Sequence, residues 1–165
     1  MKKIKTISTL VAGLGIAFLG HTTHADAAEN NNQQQSTYNY STTEVSFSNS
    51  GNLYTSGQCT WYVYHRMNQF DASISGDLGD AHNWNNRAES EGYTVTHTPK
   101  NHTAVVFEAG QLGADTQYGH VAFVEKVNDD GSIVISESNV KGLGVISFRT
   151  IDAGDAQDLD YIKGK

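Results

Sequence analysis

Two helix-patterned segments followed by a series of short strand-patterned segments predict an α+β domain. The strongest signals are the octet His120–Val127 and the turn Asn128-Asp129-Asp130-Gly131 directly after it. An octet so nearly apolar reads as a buried central strand, and the glycine-bearing turn folds a return strand antiparallel to it. The expected architecture is two or three N-terminal helices on an antiparallel sheet of about five or six strands.

The elements are legible in order. Residues 1–27 have the pattern of an export signal: Lys2, Lys3 and Lys5, an apolar run from Ile7 to Gly20, and the small residues Ala25-Asp26-Ala27. That run is too short to span a bilayer, which needs about 20 apolar residues. Residues 28–50, with Asn30 to Asn32 followed by Gln33 to Gln35, carry too few apolar groups to repay ordering and read as a disordered linker. The folded domain is expected over 51–165. A first helix is predicted over 58–69, with Ser56 as N-cap and Trp61, Tyr64 and Met67 on its apolar side. A second is predicted over 81–91, capped by Asp80, stopped by Gly92, with Trp84 and Ala88 facing inward. Strands follow at 93–98, 103–108, 120–127, 132–140, 145–151 and around Tyr161-Ile162, with a glycine-bearing loop at 110–119.

Charge narrows the function. Removing residues 1–27 leaves 8 basic against 17 acidic residues, a net charge of −9. So acidic a chain does not track the phosphate backbone of nucleic acid, nor does it adhere to anionic polymers by charge alone. His97, His102, Asp115 and Glu137 are the residues a metal site could draw on, but no dense His/Cys/carboxylate spacing marks one, so no metal or other cofactor is expected.

Cys59 is the only cysteine of the 165 residues, so it has no intramolecular disulfide partner. A packed thiol is one reading. The other is a nucleophile, because Cys59 stands where a helix begins, and free amides and the helix dipole there favour a thiolate. A thiol hydrolase also needs a base, a group that orients the base, and donors for the oxyanion. Of the five histidines beyond residue 27, His65, His82, His97 and His102 lie in helical or polar contexts and read as solvated. His120 follows Tyr118-Gly119 and opens the central strand. On the return strand, Glu137 and Asn139 continue the parity of Ile133 and Ile135, which puts polar groups where burial is expected. A two-residue turn, Asp129-Asp130, would set His120 opposite Asn139 with Glu137 on the diagonal. A core histidine and a purely structural polar network are the competing readings.

These segments resemble a known family. Gly57-Gln58-Cys59-Thr60-Trp61-Tyr62, the tract Gly119 to Glu125, Asp130 to Ile133 and Ser136-Glu137-Ser138-Asn139 resemble the cysteine, histidine-dependent amidohydrolase/peptidase (CHAP) family, and within it small exported proteins of the staphylococcal secretory-antigen type. The resemblance covers 51–165. It implies a papain-like fold and hydrolysis of peptidoglycan amide bonds, by an amidase or endopeptidase, with Cys59 as nucleophile, His120 as base, Glu137 as orienting carboxylate and Asn139 as auxiliary partner. Gln58, Trp61 and Tyr118 are candidate substrate contacts. A secreted monomer, free or cell-surface associated, is expected, with wall peptidoglycan as partner and neither nucleic acid nor membrane. The alternative is a CHAP-fold antigen or wall-binding protein that hydrolyses little. The sequence departs from the family pattern at Leu78 to Ala81, at Asn101 to Thr103 and in the long acidic loop 108–118.

Secreted protein should begin near Ala28, and intact-mass measurement of exported material checks this. A mass that retains Met1 would overturn the export reading.

Overall fold

The computed structural model describes residues 50–165. The expected signal and all but the last residue of the expected linker lie outside the described residues. Helix α1 (Cys59–Asn68) comes first, followed by a 3₁₀ turn (Ala81–Asn83) that continues into α2 (Trp84–Ser90). Six strands follow: β1 (Thr94–Thr96), β2 (Ala104–Phe107), β3 (His120–Val127), β4 (Ile133–Ser138), β5 (Ile146–Ile151) and β6 (Asp160–Lys163). A short helix α3 (Ala153–Ala156) joins the last two. All pairings are antiparallel, in the order β1-β6-β2-β3-β4-β5. The α+β architecture is as the patterning predicts.

The centre of the sheet is covered on both faces, which is why β2 and most of β3 are continuously apolar. On one face Ala104, Val106, Val121 and Phe123 pack against Tyr62, Val63 and Met67 of α1 and Trp84 and Ala88 of α2. On the other, Val105, Phe107, Ala122, Val124 and Ile135 pack with Leu159 and Ala156. The buried stripe of α1 is therefore Tyr62, Val63 and Met67 at helical spacing. The expected stripe of Trp61, Tyr64 and Met67 is off by about one position, and Trp61 and Tyr64 are half-buried at its border. His65, expected in solvent, is 3% exposed. It lies against Trp61 and Tyr64, with Nε2 2.9 Å from the Asn52 side-chain nitrogen.

A buried polar chain fastens α1 to the sheet. Arg66 donates from Nε and Nη2 to the two oxygens of Glu125 at 2.9 and 2.8 Å. Ser136 Oγ donates to Glu125 at 2.6 Å, and the Tyr62 hydroxyl donates to Ser136 at 2.7 Å. Glu125 is the extra residue of a bulge in β3, where the register shifts between Val124 and Lys126.

That bulge corrects the hairpin. The turn contains three residues, not two: Asn128 N–H bonds Ser132 C=O at 2.8 Å, and Gly131 adopts φ +85°. Asp130 selects this form by accepting from both the amide and the hydroxyl of Ser132. The third turn residue displaces the register by one position, and the bulge at Glu125 cancels the displacement. Val124 then pairs Ile135 and Phe123 pairs Ser136, the register expected beyond the turn.

Glu125→Ala leaves a guanidinium and a buried hydroxyl without their acceptor. It should reduce unfolding free energy by about 3 kcal/mol, as for other broken buried pairs, read as an earlier urea midpoint with unchanged m.

Candidate active site

Cys59 is the first residue of α1, placed there by a tight turn. Gln58 is the N-cap (φ −73°, ψ 161°), and its N–H bonds Thr55 C=O at 3.2 Å. The expected cap, Ser56, lies two residues too early, so Cys59 is the first helical residue and not the third. Gly57 makes the turn possible with φ +83°, and a Cβ there would meet Leu143 and the Gly144 amide. The first helical bond runs from Tyr62 N–H to Gln58 C=O at 3.0 Å, so the Cys59 and Thr60 amides stand ahead of the hydrogen-bonded helix.

His120 opens β3 beside this helix start. It is 7% exposed, and Nε2 lies 3.1 Å from Oε2 of Glu137, which is 2% exposed. Because Nε2 is occupied by the carboxylate, Nδ1 is the nitrogen left to serve the thiol, with which His120 is hydrogen-bonded. Gly119 (φ +66°) is required immediately before it: a Cβ there would lie 2.5 Å from the Phe107 carbonyl oxygen and 2.8 Å from His82 Cβ.

Electrostatics favour an ion pair. Burial pushes the Cys59 thiol up, but its hydrogen bond to His120, the imidazolium charge, and the amides of Val121 and Thr60 together bring it below its ordinary value. Burial pulls His120 down, while its hydrogen bonds with Cys59 and Glu137 and their charges raise it to about 9. Glu137 is pushed up by burial and brought below the usual carboxylate range by His120 and Arg149.

The expected residues divide. Cys59, His120 and Glu137 meet. Asn139 makes no hydrogen bond to the imidazole: β4 ends at Ser138, and Asn139 adopts φ +70°, a conformation asparagine tolerates better than most residues. It is exposed, and its Nδ2 donates to Gln58 Oε1 at 2.7 Å. Gln58 and Tyr118 line a cleft of about 870 Å³ that also receives Cys59, His120 and Asn139. Trp61 is not among its lining residues and packs instead on the core and His65, because its side of α1 faces away from the cleft. Two of the sequence departures form cleft wall, at Gly79 to Ala81 and at Leu112 to Asp115. The third, at His102, stacks on Phe70 at 3.9 Å and is not among the lining residues.

One site residue escaped the sequence reading. Arg149 of β5 donates from Nε to Glu137 Oε2 at 3.1 Å and from Nη1 to Leu112 C=O at 3.0 Å, and it lines the cleft. A single cation in an otherwise unremarkable strand was the only available signal. Among the described residues no group of three or more His, Cys, Asp or Glu is placed to hold a metal ion.

The CHAP domain matches residues 49–139. An N-acetylmuramoyl-L-alanine amidase domain-containing protein of Staphylococcus aureus is 76% identical over 112 residues, 68% of this chain but 18% of that protein. A staphylococcal secretory antigen of Staphylococcus epidermidis is 47% identical over 123 residues, 72% of this chain and 44% of its own length. A crystal structure of N-acetylmuramoyl-L-alanine amidase from Staphylococcus aureus is similar with a TM-score of 0.65 and 77% identity, covering 66% of this chain and 31% of that one. The chain thus spans less than half the length of these relatives.

Alkylation of Cys59 by iodoacetamide should inflect below the ordinary thiol value of about 8.5, because the neighbouring cation stabilises the thiolate. His120→Ala removes that cation and should move the inflection upward.

Proposed function

The chain belongs to the CHAP domain family, and on that premise we propose that it is a peptidoglycan hydrolase that cuts amide bonds of wall peptide with Cys59 as nucleophile. The observation that supports this is the contact chain from Cys59 through His120 to Glu137 in one cleft. The thiolate attacks the carbonyl carbon, and the developing oxyanion faces the Cys59 amide at the helix start. Gln58 assists from the same side. Its side-chain oxygen is held by Asn139, which leaves its N–H₂ group for the substrate oxygen. His120 then protonates the departing amine, and the thioester is hydrolysed by a water from which the neutral imidazole takes a proton. Glu137 keeps the ring oriented and its charged form stable.

The cleft walls favour an extended peptide. Leu53 and Val140 are 75% and 55% exposed on its rim and offer aliphatic contact beside the cysteine. The bond cut is the muramoyl–L-alanine amide or a peptide bond of the stem or bridge. The proposal includes export as a monomer with residues 1–27 as signal, 28–50 as linker and 51–165 as the catalytic domain. No helix of the described residues is long and apolar enough to cross a membrane.

Release of new amino groups from purified wall polymer tests the proposal. Cys59→Ala should lower it by about a thousandfold or more, and Glu137→Gln by about a hundredfold or more, with the fold retained. Asn139→Ala should cost less, since it acts on Gln58 and not on the imidazole. A wild-type protein that binds the polymer without releasing amines would instead support the wall-binding antigen.

A further inference from the structure

We infer that Arg149 is a positioning residue for this hydrolysis, its guanidinium holding Glu137 as a carboxylate while His120 gives up its proton to the leaving amine. The inference rests on Cys59 and His120 acting as proposed above. Its basis is geometric. Glu137 is 2% exposed, and one of its oxygens, Oε2, accepts from both His120 Nε2 and Arg149 Nε at 3.1 Å each. Cys59, His120, Glu137 and Arg149 thus form a row of alternating charge when the thiol is ionised.

The row matters at one moment in the cycle. As the carbon–nitrogen bond breaks, the imidazolium passes a proton from Nδ1 to the nitrogen and becomes neutral. Without Arg149 the buried carboxylate would then lose its only cationic neighbour, which is costly in a region away from water. With Arg149 in place the carboxylate keeps a counter-charge, so the His120–Glu137 pair holds its proton less tightly and releases it to the amine. The guanidinium is itself held in register. Nη1 donates to Leu112 C=O at 3.0 Å, and its carbon lies 5.0 Å from the centre of the Phe107 ring. Leu112 sits in the cleft wall, so the same side chain fixes the wall loop to the orienting carboxylate.

The other groups around the pair do not supply this charge. From α1 the facing group is Cys59, and from β2 it is the Phe107 ring. Around Gly119 stand His82 of the 3₁₀ turn and Asp115, whose carboxylate accepts from the Gln117 and Tyr118 amides. Opposite Glu137 on β5 is the uncharged Ser147.

The test is an NMR titration of the His120 ring in wild type, Arg149→Gln and Arg149→Lys, alongside the pH dependence of wall-polymer hydrolysis. Wild type should titrate near 9. Arg149→Gln should move the inflection upward by about one unit, because a nearby positive charge is removed. Its kcat should fall about tenfold, with KM little changed. Arg149→Lys should return the inflection toward wild type, and it remains informative where the glutamine variant folds poorly. An inflection that falls means Glu137 has merely swung away, and one that stays still means no coupling. Either result overturns the inference. The titration needs no turnover, so a wild type that titrates as expected but releases no amines would sink the hydrolase reading alone.

Discussion

The interaction on which the site depends lies about two helix turns away from it, where Arg66 grips Glu125 at the β3 bulge. Glu125 sits in the sheet and Arg66 on α1, so their bidentate contact seats the helix that starts at Cys59. The bulge carrying Glu125 also sets the β3–β4 register, which brings His120 and Glu137 onto one face. Cys59, His120 and Glu137 thus share one anchor. A buried ion pair is costly unless its remaining lone pairs are satisfied, and Ser136 and Tyr62 meet that condition.

Burial sets the electrostatics of the row formed by Cys59, His120 and Glu137. Taken singly, low exposure would keep Cys59 a thiol and His120 a neutral imidazole. Their contact reverses both tendencies, since each stabilises the charged form of the other. Glu137 strengthens the cation and is in turn held ionised by groups on both sides. The titration therefore belongs to the set of groups and not to any single residue.

The cleft around this row is built from connections, not from regular elements. The chain at Leu53 to Thr55, the approach to the 3₁₀ turn, the loop before β3 and the β4–β5 connection contribute its walls. The last of these is tied to the helix start: Gly144 N–H and Ser138 Oγ both donate to the Gly57 carbonyl, at 3.0 and 2.9 Å. Loops can vary while the scaffold stays fixed, and the sequence departures at 78–81 and 108–118 fall in the groove walls, outside the elements that carry Cys59, His120 and Glu137.

By itself the sequence determined the α+β class, the central strand His120–Val127 and the inward placement of Trp84 and Ala88; Cys59, His120 and Glu137 it offered as candidates. Each follows from a local rule: the period of apolar residues, a turn signal, or a polar residue at a buried parity. Other features were decided only by the tertiary structure. The three-residue turn and the Glu125 bulge cancel each other, and a sequence pattern reports their sum but not either one. Asn139 obeys strand parity on paper, yet its backbone leaves the strand to meet Gln58, 81 positions away. Trp61 flanks the cysteine in sequence but lies off the cleft, because a helix turns successive side chains by about 100°. Arg149 reaches Glu137 through a β4–β5 pairing that no local signal specifies. Contacts of this kind join residues distant along the chain, and only the packed sheet brings them within hydrogen-bonding distance.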